Sequence, residues 1–259
     1  MKKIIALLLC LVLAAASALA LAEGESDKDY VVGKGKLIVG ITDFEPMDYK
    51  DADGNWIGFD ADLARAFGEY LGVEIEFQEI DWDNKVLELD SNVIDCVWNG
   101  MTLTDEVLAA MSCSKAYMNN SQIVILPADK AADYETVESL AGLTFAVEAG
   151  SAGEAEVEAL GYAATPVQNQ AAALMEVKAG TSDAAVIDAL MAAAMVGEGT
   201  SYEDLIYTLP LNEEQYGVGF RTGSDLAAEL DAFLAASLED GTLLSIAEAY
   251  GVQAALILE

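Results

Sequence analysis

The chain alternates between strand and helix patterns, and this alternation limits the folds that it can form. Apolar runs at residues 36–40 and 93–98 predict short buried strands. Residues 60–71 place apolar side chains at helical spacing, with Asp60 as the predicted cap and Gly72 as the predicted stop. Strands that alternate with helices form a mostly parallel sheet covered by helices. The sequence therefore predicts an α/β fold.

A second series of the same kind begins near residue 122. Strands are predicted at residues 122–126, 143–147 and 184–187, and helices from about residue 155 and over residues 171–179. This series is long enough to form a sheet of its own, so we expect two sheets.

The tetrapeptide Asp-Ala-Asp-Gly at residues 51–54 lies between two short apolar stretches. An Asp-Gly pair in that setting is typical of a hairpin turn. Asp51, Asp53 and Asn55 also match the start of a calcium-binding loop, but the full loop needs further ligands and a distal glutamate. We predict a turn and no metal site.

The first residues have the pattern of a secretory signal peptide. Residues 1–22 combine a positive start, an apolar core and small-x-small cleavage sites, so we predict export and cleavage near Ala22. A transmembrane anchor is the alternative, since the apolar stretch could nearly span a bilayer. Cys10 lies inside that stretch, so no lipid anchor is predicted. Residues 23–34 are acidic and polar and predict a flexible lead-in.

The chain is strongly acidic and contains no histidine. It has 12 lysines and arginines against 45 aspartates and glutamates, a net charge of −33. Such a surface repels nucleic acid and anionic membranes, so neither is a predicted partner. The missing histidine excludes a His-based triad and the usual zinc sites. We predict no catalytic residue, no metal and no cofactor. The charge indicates either a solvated acidic coat or a preference for cationic ligands.

Cys96 and Cys113 remain after the signal peptide is removed. Outside the cytoplasm two cysteines can form a disulfide, and two free buried thiols are the alternative.

Polar residues follow three of the predicted strands. They occupy residues 42–45, residues 99–102 and Ser151, which stands between glycines before a helix. Ligands of α/β sheets bind beyond the carboxyl ends of strands, and a helix start can hold an anion with its free N–H groups. We therefore expect a binding site where these strand ends meet.

The order of the elements and their motifs resembles the extracellular solute-binding proteins of polar amino acid ABC importers, family 3. The resemblance runs from about Lys36 to Gly251. The matching stretches are Gly58-Phe59-Asp60 with Asp62-Leu63-Ala64; Ile94-Asp95; Asn99-Gly100-Met101-Thr102-Leu103-Thr104; Ser114 with Tyr117; Val147-Glu148-Ala149-Gly150-Ser151; Lys178-Ala179-Gly180; Asp183-Ala184 with Asp188; Tyr216-Gly217-Val218-Gly219; and Asp240-Gly241-Thr242.

The resemblance implies a two-lobed periplasmic-binding-protein fold of type II. Each lobe would be a mostly parallel sheet flanked by helices. Lobe 1 would comprise residues 35–119 and 213–259, and lobe 2 residues 122–211. The expected protein is an exported monomer that closes on a small solute, most simply an amino acid, and delivers it to a membrane ABC permease.

The resemblance also implies a ligand site. Phe44 and Trp82 would sandwich the ligand side chain, while Gly100, Thr102 and Asp188 would hold its ammonium group. Ser151 and the Ala152 N–H would hold its carboxylate. The full set of expected ligand-binding residues is Asp43, Phe44, Trp82, Asn99, Gly100, Thr102, Ser151, Ala152 and Asp188.

One position departs from the family pattern. Val107 stands where the family has an arginine that clamps the ligand carboxylate, and neither Arg65 nor Arg221 is an obvious substitute. An arginine fork is a strong and specific carboxylate receptor. The acids around the expected site would suit a cationic amino acid or an amine without a carboxylate. They are Asp43, Glu45, Asp83, Asp105 and Glu148.

Two other functions fit the same fold. An enzyme resembling cyclohexadienyl dehydratase would act on an anionic substrate, which would require basic groups that this pocket lacks. A sensory domain that signals to a receptor is the other possibility. The resemblance favours binding without turnover.

Overall fold

The computed structural model describes residues 26–258 of the chain. Up to residue 120 its elements are α1 (Asp27–Lys34), β1 (Lys36–Ile41), β2 (Tyr49–Lys50), β3 (Trp56–Ile57), α2 (Phe59–Leu71), β4 (Glu74–Glu79), α3 (Lys85–Asp90), β5 (Cys96–Thr102), α4 (Asp105–Ala110), β6 (Ser112–Cys113) and β7 (Met118–Asn120). The next are β8 (Gln122–Pro127), β9 (Thr144–Glu148), α5 (Ala152–Ala159), β10 (Ala163–Val167), α6 (Gln170–Ala179), β11 (Ala184–Asp188), α7 (Ala189–Met195) and β12 (Leu205–Pro210). The last are β13 (Glu214–Phe220), α8 (Leu226–Asp240) and α9 (Thr242–Ala249).

The strands form two main sheets and one small hairpin. The first sheet has the order β4-β1-β5-β13-β6, with β7 also paired to β13, and the second has the order β10-β9-β11-β8-β12. The hairpin pairs β2 with β3 across the turn predicted at residues 51–54. The two predicted α/β series thus form two sheets, and the molecule has two lobes.

Each main sheet has a parallel half and an antiparallel half. Strands β4, β1 and β5 are parallel to one another, as are β10, β9 and β11. Strand β13 runs antiparallel to β5, and β8 runs antiparallel to β11 and β12. The antiparallel strands are those that connect the two sheets, where the chain enters without a helical crossover.

The carboxyl ends of the parallel strands position the site. Residues buried on both faces form these strands: the central residues of β5 and β11 are buried, as expected for strands covered by helices on each side. Strand β1 ends at Ile41, β5 at Thr102, β9 at Glu148 and β11 at Asp188. Thr102, Glu148 and Asp188 are the last residues of their strands, so these three polar side chains lie at the carboxyl ends.

The chain crosses between the sheets twice. One crossing lies between β7 and β8 at Ser121, and the other lies between β12 and β13 at residues 211–213. The expected lobe boundaries, at residues 119–122 and 211–213, stay predictions. Two neighbouring crossings are the arrangement in which two lobes can move about a hinge.

The segment predicted as a flexible lead-in contains a helix. Residues 27–34 form α1, which begins after Ser26, whose hydroxyl accepts a hydrogen bond from Asp29 N, and ends at Gly35. Lys34 pairs with the buried Asp95, and Arg221 pairs with Asp27. The sequence pattern missed this helix because ion pairs, rather than an apolar stripe, attach it to the first sheet.

Helix α2 begins one residue before its predicted cap. Its N-cap is Gly58, and Asp60 lies inside the helix with only 1% of its surface exposed. The Asp60 carboxylate accepts hydrogen bonds from Gly100 N at 2.6 Å and from the Tyr117 hydroxyl at 2.8 Å. The prediction of Asp60 as a cap was wrong because its acceptor role is tertiary.

The two cysteines are not bonded to each other. Cys96 on β5 is buried and Cys113 on β6 is half-buried, and both are free thiols. Strand β13 lies between them, with Phe220 opposite Cys96 and Gly219 opposite Cys113. Two strand spacings are roughly 9–10 Å, which is too far for a disulfide without movement of the backbone.

Two expectations about the membrane concern different parts of the chain. The predicted signal peptide and its cleavage site lie outside the described residues. Within residues 26–258, no helix is long and apolar enough to span a membrane.

Candidate functional site

A cavity of about 500 Å³ lies between the two lobes. Its lining comes from residues 82–107 of the first lobe and from residues 122–188, which include the carboxyl ends of β9 and β11 in the second. Cavities of this size hold small molecules. It therefore occupies the place that the strand ends predict for a ligand.

The cavity brings together most of the residues expected from the sequence. The members that line it are Trp82, Asn99, Gly100, Thr102, Ser151, Ala152 and Asp188. Asp43 and Phe44 do not line it. Asp43 is exposed, and Phe44 is 2% exposed with its ring edge-on to Tyr216. Their roles as ligand contacts stay predictions.

Contacts of Asn99 and Gly100 fix the cavity wall formed by β5. The side-chain amide of Asn99 joins β5 to the end of β1 by accepting from Thr42 N at 2.9 Å and donating to Thr42 Oγ1 at 2.8 Å. Gly100 has φ +56°, and a Cβ atom there would lie 2.5 Å from the Phe44 ring. Phe44 therefore stabilises the wall from behind and requires glycine at position 100.

Asp188 is held by a network at the hinge. It ends β11, is 4% exposed, and accepts hydrogen bonds from Asn120, Gln122, Gln170 and the Tyr216 hydroxyl. Its side chain makes no capping bond to α7. Burial and the nearby Glu214 raise the pKa of Asp188 well above its usual value. Both carboxylate oxygens are thus already partnered.

Glu214 shares these donors with Asp188. Its Oε1 accepts from Asn120 at 2.7 Å, from Gln122 at 2.9 Å and from the Thr102 hydroxyl at 2.9 Å. Asn120 and Gln122 flank one crossing of the chain, and Glu214 begins the strand after the other. The network therefore connects both crossings to the cavity wall at Thr102.

Glu148 differs from Asp188 in its partners. It ends β9, is 3% exposed and lines the cavity. Its Oε1 has no hydrogen-bond partner among residues 26–258. Burial raises the pKa of Glu148 to about 8, although Gln170, Lys85 and Thr42 favour its charged form. An unpartnered oxygen on a buried carboxylate is costly, so a cation placed beside Glu148 would be stabilised.

A carboxylate of the chain itself, that of Glu154, already accepts a hydrogen bond at the start of α5. The Ser151 hydroxyl accepts from Glu154 N at 3.1 Å and caps the helix, and Glu154 Oε2 accepts from Gly150 N at 2.7 Å. Free N–H groups at a helix start are anion receptors. Here Glu154 already uses one of the groups that precede the helix.

The lobes contact each other at Gly150. Lys85 Nζ on α3 donates to the Gly150 carbonyl at 2.9 Å and to the Trp82 carbonyl at 3.3 Å. A Cβ atom on Gly150 would lie 2.8 Å from Asp83 Cα, so the two backbones pack closely here. Burial lowers the pKa of Lys85. This side of the cavity is closed.

Val107, the position at which the resemblance implies an arginine, lines the cavity. It is 6% exposed and packs in an apolar cluster that contains Trp82 and Met101. Arg65 bonds Asp62 and Trp56, and Arg221 bonds Asp27 and Asp95; neither arginine lines the cavity. Lys85 is the one basic residue in the lining formed by residues 26–258.

The lining is strongly acidic. Its acids are Asp83, Asp105, Glu106, Glu148, Glu154, Glu158 and Asp188. With Lys85 as the basic residue of the described lining, the cavity favours a cation. The sequence had indicated acidic surroundings through Asp83, Asp105 and Glu148. It did not identify Lys85, Gln122, Gln170 or Glu154, because the lobe closure that brings them together leaves no local pattern.

Comparison with known proteins gives the same fold and a family. Residues 37–253 match the model of the bacterial extracellular solute-binding proteins, family 3. The arginine-binding extracellular protein ArtP of Bacillus subtilis is 28% identical over 217 residues, which are 82% of this chain and 84% of that protein.

Solved structures agree with this match. A mutant of ArgBP from T. maritima has a TM-score of 0.80 at 29% identity, and the alignment covers 86% of this chain and 98% of that one. The ancestral amino acid-binding protein AncCDT-1, a precursor of cyclohexadienyl dehydratase, has a TM-score of 0.79 at 29% identity, with 87% and 99% covered.

Proposed function

Because this chain belongs to the bacterial extracellular solute-binding proteins of family 3, we propose that it is the substrate-binding component of an ABC importer. It captures a small polar solute, an amino acid of cationic character, by closing its two lobes over it. The single observation that carries this proposal is the acid-lined cavity of about 500 Å³ between the lobes. The arginine-binding relative supports the ligand class.

The expected site residues that line the cavity keep their proposed roles, except that Asp188 acts without direct contact. Trp82 covers the ligand side chain, and Gly100 and Thr102 lie at the ammonium end. Asp188 positions that end through its hydrogen-bond network, since both of its oxygens are already partnered. Ser151 and the Ala152 N–H face any carboxylate. The protein acts as an exported monomer, released by a signal peptidase near Ala22, and its partner is a membrane permease.

The proposed activity is binding without turnover. Cyclohexadienyl dehydratase is the enzymatic alternative, because AncCDT-1 is described as its precursor. The acids of the lining repel an anionic substrate, and Lys85 is held by two carbonyls. Prephenate-like acids should therefore neither bind to the protein nor be converted to product.

A thermal-shift screen tests the proposal. Purified protein is heated with each amino acid and with small amines, and a hit is confirmed by calorimetry. The proposal expects a hit within this set and a ligand that is recovered chemically unchanged. Steady product formation from a hit, or no hit in the set, would contradict it.

One observation favours a second ligand class, an amine without a carboxylate. Val107 replaces the family's carboxylate clamp, and Glu154 already accepts from Gly150 N in front of α5. A free carboxylate would then lack a charged receptor.

A further inference from the structure

We propose that Glu148 receives the positive charge of the ligand, and that the cavity binds such a cation with or without a free carboxylate. This inference rests on the proposed function and names the group that selects the ligand. It assigns a ligand contact to Glu148, which the sequence placed among the acids around the site but not among the expected ligand-binding residues.

Glu148 is the unpartnered buried acid of the cavity. Its side chain lies at the end of β9 with 3% of its surface exposed, and Oε1 has no hydrogen-bond partner within residues 26–258. A buried polar atom in a cavity wall needs a partner. A cationic group in the cavity would supply both a donor and a compensating charge.

The other acids of the cavity are already partnered or exposed. Asp188 accepts from four donors, and Glu154 accepts from Gly150 N. The remaining acids of the lining, Asp83, Asp105, Glu106 and Glu158, are exposed. Water solvates and screens exposed carboxylates, so they attract a cation without selecting it.

Lys85 does not neutralise Glu148 by direct contact. Its Nζ donates to the carbonyls of Trp82 and Gly150, and it forms no ion pair among the described residues. Its charge favours ionised Glu148 at longer range. A ligand cation in the cavity therefore remains an available partner for the Glu148 carboxylate.

The opposite end of a ligand has no charged receptor of its own. Val107 presents an apolar side chain, and the N–H of Gly150 before α5 is occupied by Glu154. A ligand carboxylate would gain little there and would face the negative charge of Glu154. Removing that carboxylate should therefore change the affinity little.

Six probes test the inference in two matched sets. Each set contains a dibasic amino acid, its decarboxylated amine and an isostere whose side chain is uncharged although its α-ammonium remains: L-arginine, agmatine and L-citrulline; L-lysine, cadaverine and L-norleucine. The sets therefore test the side-chain cation of the ligand. Calorimetry measures their affinities for the wild type and for Glu148→Gln, which has the same shape without the charge. Glu158→Gln removes an exposed acid of the same lining and serves as the control. The melting temperature of each variant checks the fold.

We expect wild-type protein to bind the cationic members of at least one set, with the amine within about tenfold of the amino acid. The uncharged isostere should bind about 10- to 100-fold more weakly, as expected for a lost charged hydrogen bond. Glu148→Gln should remove that difference by weakening only the cations, and Glu158→Gln should weaken no probe more than about threefold.

Other outcomes separate this inference from the proposed function. If Glu148→Gln weakens cation and isostere equally, or if the amine binds more than 100-fold more weakly than the amino acid, the inference fails. If only uncharged amino acids bind, the inference also fails while the importer function stands. If no amino acid or amine binds, the proposed function fails with it.

Discussion

The cleft contains two buried carboxylates that sequence position alone would treat alike. Asp188 ends β11 and Glu148 ends the adjacent parallel strand β9, and each is less than 5% exposed. Asp188 is surrounded by donors that include Asn120 and Tyr216, whereas Glu148 lines the cavity and its buried Oε1 has no partner in residues 26–258. The difference lies in the hydrogen bonds already made rather than in burial.

The two carboxylates therefore have different roles in one cleft: one connects the lobes and the other is available to a ligand. The hinge end, at Asp188 and Glu214, connects the lobes through shared amide donors. The end at Glu148 retains an unused acceptor beside an acid-rich lining. We therefore expect changes at Asp188 to affect folding first, and changes at Glu148 to affect affinity first.

The largest expected effect follows from removing Asp188. Asp188→Ala leaves four donors without their acceptor, among them Tyr216 and Gln170. We expect a loss of about 3–5 kcal/mol in the free energy of unfolding, because each buried donor left without an acceptor costs about 1–3 kcal/mol and several lose theirs at once. Urea unfolding measures it, with Glu148→Gln as the matched variant that should lose none. If Asp188→Ala unfolded at the wild-type urea concentration but no longer bound ligand, Asp188 would affect affinity first, and the contrast with Glu148 would be wrong.

A smaller effect is expected from restoring the missing cation. Val107→Arg should favour a free acid over its amide by about 1.5–3 kcal/mol, the contribution of a charged hydrogen bond. Asp105 and Glu106 precede position 107 and can pair with the new guanidinium, which would reduce the gain. Paired titration of L-arginine and L-arginine amide on both proteins measures the shift. A wild type that already rejects the amide would mean that another group reads the carboxylate.

The closure at Gly150 gives a test of similar or smaller size. Gly150→Ala places a Cβ atom 2.8 Å from Asp83 Cα, so the lobes could not approach as closely. We expect the affinity to fall by about 1–3 kcal/mol, the scale of overpacking in a tight contact. Gly161→Ala is the matched control because Gly161 has φ +74° but no neighbour within 4 Å of its Cβ position.

Equal losses in the two glycine variants would mean that backbone strain, and not lobe contact, is responsible. A loss confined to Gly150→Ala would connect ligand binding to closure on the side of the cavity next to Glu148.

The smallest effect concerns a third buried acid that lies away from the cavity. Asp48 is 0% exposed, both its oxygens lack partners among the described residues, and it interacts with Asp60. Burial raises the pKa of Asp60 from 3.8 to about 7. Between pH 3.8 and about 7, Asp60 is therefore protonated in the folded protein and ionised in the unfolded chain. Its stabilising contribution is full below about pH 3.8 and is lost as the pH rises through about 7.

Asp48→Asn should weaken the pH dependence of stability, because burial and the neighbouring Asp60 also raise the pKa of Asp48 well above its usual value. Asparagine carries no such titrating group. We expect a gain of about 1–2 kcal/mol in unfolding free energy at pH 8 and little change at pH 4. Affinity for the cationic probes should not change, since Asp48 does not line the cavity. A change in affinity would mean that a buried acid can act on the ligand without lining the cavity. The contrast between Glu148 and Asp188 would then no longer identify the ligand contact.

Local patterns predicted most of the strands and helices, whereas the family resemblance supplied the expected cavity residues. Buried strands such as β1 and β11 are visible as apolar runs, and Thr104 and Gly72 mark helix ends where the structure has them. Strands β10 and β12 and helix α1 were missed, because the two strands are largely exposed and the helix is attached in part by ion pairs.

The partners of the site residues could not be predicted from sequence. The donors to Asp188 include Asn120, Gln170 and Tyr216, which lie 18 to 68 positions away in the chain. Glu148 and Glu154 lie six positions apart in the sequence, yet only the fold distinguishes the acid with an unpartnered oxygen from the acid bonded to Gly150. Such distinctions arise from tertiary contacts that leave no local spacing.

The most direct test of the account measures the protonation of the two carboxylates themselves. Carbon-detected NMR follows the side-chain carboxyl signals of Glu148 and Asp188 with pH, and Glu148→Gln assigns the first signal. Without ligand, Glu148 should titrate with a pKa of about 8. Saturation with agmatine should lower that pKa clearly, because a nearby cation favours the ionised form, and should leave Asp188 unchanged. A ligand-dependent shift at Asp188 with none at Glu148 would contradict the account.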